Sequence, residues 1–134
     1  MSQIILDEQL NRDRVLIPLQ RWITVQKLED LRPDEVIKDD RIPLLLRELK
    51  NPTFLTIDDG FWKRELLDPK YCILFFALQD HQQAQIPSLL RQLLKLTEFK
   101  TKAICMGKVA KMGKTHIEYW QGENTEKINR LWNP

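Results

Sequence analysis

Residues 71–78 are an unbroken apolar stretch, and no other feature limits so tightly what this chain can fold into. The stretch is well short of the roughly 20 residues that a helix needs to cross a bilayer. Its apolar character is continuous, with no polar face. It therefore reads as a strand covered on both sides, the situation of a central strand in a parallel sheet packed between helices. Residues 3–6, 22–25 and 53–57, rich in β-branched and aromatic side chains, are the neighbours that such a strand requires.

Helical signals lie between these runs. Leu10, Val15, Leu16 and Leu19 are spaced for one face of a short helix before or around Pro18. Asp39 and Asp40 precede Ile42, Leu44, Leu45, Leu46 and Leu49, which predicts a helix capped by an aspartate and tolerating Pro43 in its first turn. Ile86, Leu89, Leu90, Leu93, Leu94 and Leu96 make a broad apolar stripe on a helix opened by Pro87. Residues 61–67 are compatible with a short helix, and the polar residues 27–38, with Pro33 among them, read as loop.

Near the C-terminus, residues 103–109 and 115–120 are β-like runs around a turn at Lys111, Met112, Gly113 and Lys114, which predicts a hairpin. Residues 124–130 suggest a last helical turn. Strands alternating with helices predict an α/β fold: one three-layer α/β/α domain over residues 1–134, with a mainly parallel central sheet and a C-terminal β-hairpin.

A chain of 134 residues can bury a core without disulfides or zinc, and its 43% apolar and 30% charged residues are ordinary for a globular domain. Residues 1–10 lack a basic leader, and their apolar run stops at Asp7 and Glu8. Neither a signal peptide nor a membrane span is expected, and the cytoplasm is the default location. Cys72 and Cys105 lie inside apolar runs without knuckle or redox-pair spacing, so both are expected to be reduced core thiols.

The chemistry-bearing residues are aspartates. Open parallel sheets present their functional crevice at the carboxyl ends of the strands. Asp7 and Glu8 end the first strand-like run, Asp58 and Asp59 end the third, and Asp39 and Asp40 open a helix that can pack back on the sheet. Carboxylates brought together repel unless a cation neutralises them, so convergence of these pairs points to magnesium or manganese, which take oxygen ligands. The competing duties are ordinary ones: a helix N-cap for Asp39 or Asp40, and a turn for Asp58, Asp59 and Gly60.

Charge is unevenly distributed. Residues 1–59 carry 9 basic and 12 acidic side chains, whereas residues 91–114 carry 7 basic residues against Glu98 alone. That basic stretch, with Arg91, Lys95, Lys108, Lys111 and Lys114, is a candidate phosphate-binding surface. The run from Gly107 to Thr115 has five residues between its glycines where a phosphate loop has four, and a strand-like run follows it, so nucleotide binding there is not expected. His81 and His116 have no paired ligand spacing, no nucleophile elbow occurs, and the Trp residues at 22, 62, 120 and 132 read as packing residues.

Three marks in order carry a family resemblance. The apolar strand closed by Asp7, Glu8, Gln9 and Leu10 resembles the opening of PIN-like proteins. Asp39, Asp40, Arg41 and Ile42 are similar to the acidic start of that family's second helix. Thr56, Ile57, Asp58, Asp59, Gly60 and Phe61 look like its threonine, aspartate and phenylalanine signature, except that Gly60 stands where a second acid usually precedes the phenylalanine. The resemblance covers residues 3–76, and the closing helix and hairpin look like those of compact bacterial relatives associated with toxin–antitoxin systems.

The resemblance implies a PIN-like fold and a metal-dependent endoribonuclease acting on single-stranded RNA. Asp7, Asp39 and Asp58 would bind Mg2+ or Mn2+, Asp40 would substitute for Asp39 if the helix register differs by one, and Asp59 would assist. RNA, an antitoxin-like protein and a second copy of the chain are the partners to test. The alternative reading is a non-catalytic PIN-like protein or RNA interaction module.

Overall fold

The apolar stretch becomes β4 (Cys72–Phe76), every residue of which is buried, and it is the middle strand of a seven-stranded sheet ordered β2-β1-β3-β4-β5-β6-β7. The structure is a computed structural model and describes residues 3–123 and 126–134. β1 (Gln3–Leu6), β2 (Val25–Lys27), β3 (Pro52–Thr56), β4 and β5 (Lys108–Met112) run parallel to their neighbours. β6 (His116–Gln121) and β7 (Ile128–Leu131) complete the sheet antiparallel.

The helices are short: α1 (Ile17–Gln20), entered through a π-helical turn at Arg12–Leu16, then α2 (Leu28–Leu31), α3 (Ile42–Glu48), α4 (Ile86–Leu93) and α5 (Lys102–Cys105). They cover both faces, because successive strand residues point to opposite sides. Ile4, Leu6, Leu55 and Leu74 pack with Val15, Leu19, Leu90 and Leu93 on one face. Ile5, Phe54 and Ile73 pack with Leu28, Ile42 and Leu46 on the other. The result is a mostly parallel α/β sheet between helical layers. No helix among the described residues is long and apolar enough to cross a membrane.

Several local expectations are corrected. β2 occupies Val25–Lys27, later than residues 22–25, because Ile23 N–H is drawn back to the Leu19 carbonyl. Residues 27–38 are not all loop, since they begin with the end of β2 and α2. Residues 102–105 are helical: Thr101 caps α5 by accepting Ile104 N–H at 3.2 Å, and strand begins only at Lys108. Of the turn expected at 124–130, Asn124 and Thr125 lie outside the described residues, while Ile128–Leu131 is strand, paired in register with β6. Cys72 and Cys105 are buried and free as expected, but they are neighbours: the Cys72 thiol is pushed up by burial and donates to the Cys105 sulfur.

Candidate acidic site

The loops leaving β1 and β3 diverge. After β1 the chain turns onto the face of Leu10 and Val15; after β3 it turns onto the other face, where Phe61 is buried against Phe54. Adjacent strands with diverging onward loops leave a crevice at their carboxyl ends, and the order β2-β1-β3 puts that switch point between β1 and β3. The connection after β4 returns to the first face through Ile86, so the end of β3 is open on its other side too. There an open crevice of ≈ 530 Å³ is lined by Gln9, Ile57, Asp58, Asp59, Phe75 and Gln79.

Asp7 follows β1 directly, and its N–H still pairs with the Leu55 carbonyl at 3.0 Å, which holds it in the plane of the sheet. It is 2% exposed. One carboxylate oxygen accepts from the Thr56 hydroxyl at 2.7 Å, the other from Glu8 N–H at 2.8 Å. Thr56 Oγ1 in turn accepts Asp58 N–H at 3.0 Å, so a single buried hydroxyl connects the two acid-bearing ends. Asp58 Oδ1 accepts Gly60 N–H at 2.9 Å, and a Cβ on residue 60 would stand 3.1 Å from that oxygen. Gly60 therefore leaves room for the Asp58 carboxylate to fold back into its turn; the turn expected for Asp58 and Gly60 is present.

Asp39 opens a 3-10 turn, Asp39–Arg41, and neither it nor Asp40 caps a helix: the caps are Lys38 and Arg41, without side-chain capping bonds. The predicted aspartate cap of α3 is thus absent. Both acids are exposed. Asp7 has a pKa pushed up to about 6, first by burial and further by the negative charges of Asp39 and Asp58, against the pull of the Thr56 and Glu8 hydrogen bonds. Asp39 is the member of its pair whose charge reaches Asp7. Two acids distant in sequence thereby act on Asp7, although among the described residues no three His, Cys, Asp or Glu side chains are gathered closely enough to hold a metal ion.

Two positioning residues lacked a sequence signal of their own. Lys27, at the end of β2, is buried and donates to the Glu8 and Leu10 carbonyls, anchoring the loop after Asp7. Gln83, also buried, donates to the Gln9 carbonyl at 3.0 Å and accepts Asn11 N–H at 2.7 Å. Lys27 stood at the start of a polar stretch that read as loop, and Gln83 in a stretch that carried no element signal.

The basic segment does not form one patch beside the acids. α4 runs back from the acid-bearing end, and Arg91 lies over the Trp22 ring at 4.4 Å, ahead of β2 at the amino ends of the strands. Lys95 follows Leu94, which lines a cavity with Ile4 and Thr53 at that same end. Lys108 is 2% exposed, donates to the Ile104 carbonyl and lies 5.7 Å from the ring centres of Phe99 and Tyr119. Burial lowers its pKa. Its predicted contact with RNA is therefore corrected: the ammonium is consumed inside the fold. Lys111 and Lys114 alone among the five stand toward the carboxyl end of β5, about two strand spacings, or roughly 10 Å, from β3.

The chain matches no protein-family model, no curated protein and no solved structure.

Proposed function

We propose that this chain is a PIN-like, metal-dependent endoribonuclease that cleaves single-stranded RNA in the cytoplasm, as the toxin of a toxin–antitoxin pair. The observation carrying the reading is the electrostatic strain at the sheet's switch point: Asp7, in a buried setting, feels both Asp39 and Asp58, and its pKa is pushed up to about 6. A divalent cation relieves that strain.

The donor set fits a hard ion. Every candidate ligand is a carboxylate oxygen, and magnesium is commonly held by one or two carboxylates together with waters and substrate phosphate, without a closed protein cage. Asp7 and Asp58 would hold it from the sheet, with Asp39, or Asp40 in its place, acting on it through its waters. Bound there, Mg2+ or Mn2+ would supply charge to the scissile phosphate and acidify a water. Thr56 and the Glu8 N–H fix the Asp7 oxygens, Gly60 N–H fixes Asp58, and Asp59 lines the crevice where a strand would lie. Lys111 and Lys114 provide phosphate contacts on the β5 side.

A second reading is favoured by one observation. Asp7 is 2% exposed with both oxygens hydrogen-bonded, an arrangement also suited to a structural acid in a non-catalytic PIN-like protein or RNA interaction module. Labelled single-stranded RNA incubated with manganese or with chelator decides between them. Cleavage that requires manganese and disappears in Asp7→Asn and Asp58→Asn supports the nuclease. RNA bound by wild type but never cut supports the second reading, and cutting indifferent to chelator and substitutions refutes the site.

A further inference from the structure

The amino ends of the strands hold a second concavity, on the opposite edge of the sheet from the acids. Its floor is set by register, Ile4 of β1 pairing with Thr53 of β3. Trp22 and Phe99 form apolar walls, and Lys100 and Lys102 stand among its lining residues, giving a cavity of ≈ 490 Å³. That volume falls within the range of small-molecule sites, which pair a mostly apolar lining with a few polar groups.

One observation independent of the cavity's shape points to an anion, and it is charge. Glu98, the only acid in residues 91–114, is engaged by Arg130, leaving Lys100 and Lys102 without an ion-pair partner among the described residues. Arg91, stacked on Trp22, adds a third cation beside the same wall.

We propose that this cavity binds a small amphipathic anion, its apolar body against Trp22 and Phe99 and a carboxylate toward Lys100 and Lys102. The site is separate from the acidic crevice and does not depend on the nuclease reading. Lys100 and Lys102 acquire a role here that their place at the amino ends of the strands denies them there.

Isothermal titration of the full chain with 2-naphthoate, and with its neutral methyl ester, tests the assignment. The acid should bind saturably at one to one, about tenfold more tightly than the ester, a difference of about 1.4 kcal/mol. The double charge reversal Lys100→Glu with Lys102→Glu should remove that preference and leave the ester's affinity unchanged. Ala103→Trp, or the milder Ala103→Leu should the larger side chain prevent folding, should block both compounds, and Asp58→Asn should affect neither. Absence of saturable binding, equal affinity for acid and ester, or binding that survives both the filled mouth and the reversed charges would overturn the proposal.

Discussion

The two ends of the sheet bury ionisable groups in opposite ways. At the amino end the Lys108 ammonium is met by the Ile104 carbonyl and the faces of Phe99 and Tyr119, so the cost of burying it, which still lowers its pKa, is offset in part. At the carboxyl end Asp7 is buried toward further negative charge from Asp39 and Asp58, and its two hydrogen bonds do not cancel the penalty. Burial disfavours the charged form of both groups, but only at the carboxyl end do like charges add to the penalty. Uncompensated burial of like charges is characteristic of sites poised for a cation or a proton.

The largest effect should come from removing the acids. On the proposed reading, Asp7→Asn and Asp58→Asn each lower manganese-dependent RNA cleavage by roughly 100-fold or more, because each deletes charge that would hold the ion at the phosphate. Lys108→Met at the other end should leave the cleavage rate within about twofold, since its ammonium faces Ile104 and not the crevice. Single-turnover rates on one labelled RNA measure all three. Equal losses in the three variants would erase the contrast between the ends.

Stability should separate the ends in the opposite sense. An Asp whose folded pKa is raised, here from 3.8 to about 6, binds its proton more tightly in the folded state. Its penalty is absent below the unfolded value, grows as pH rises through the window and is complete above about 6, where it amounts to about 3 kcal/mol. Asp7→Asn should therefore raise unfolding free energy at pH 8 by about 1–3 kcal/mol, less than the full penalty because an amide cannot accept both existing hydrogen bonds, and the gain should fade near pH 4. Urea titrations at the two pH values check this. Manganese should stabilise the wild type at pH 8 and not Asp7→Asn, whereas a gain independent of pH would show that folding leaves the Asp7 pKa unshifted.

Much of this frame was legible in the sequence. The run at 71–78 required a strand covered on both faces, and the alternation around it required helical layers; neither inference needs long-range information. That acids end β1 and β3 was legible for the same reason, since Asp7 and Asp58 terminate strand-like runs. What pairs across the sheet was not. The link through Thr56, the anchoring by Lys27 and the contact of Cys72 with Cys105 depend on strand order, which local periodicity does not encode. The same limit explains the basic segment. Counting lysines gave one patch, but α4 and β5 distribute them to both ends of the sheet and into its interior, where the Lys108 ammonium lies near the rings of Phe99 and Tyr119.

The smallest effects concern Thr56 and the lysines on the β5 side. Thr56→Val keeps the shape of the side chain while removing the donor to Asp7 and the acceptor for Asp58 N–H, and should cost about 1–3 kcal/mol in urea unfolding at neutral pH. Losing the donor also removes a hydrogen bond that favours the ionised carboxylate, so the Asp7 transition, followed by carboxyl carbon NMR, should move above 6. Lys111→Gln with Lys114→Gln should weaken RNA binding several-fold and lower the slope of log affinity against log salt by about 1.4, the amount for two single-strand phosphate contacts. Arg91→Gln with Lys95→Gln, at the amino end, should leave that slope unchanged. Because the two pairs remove equal charge from the same chain, a difference between their slopes reports where the RNA lies, and equal slopes would place it across the whole surface and not at the acid-bearing end.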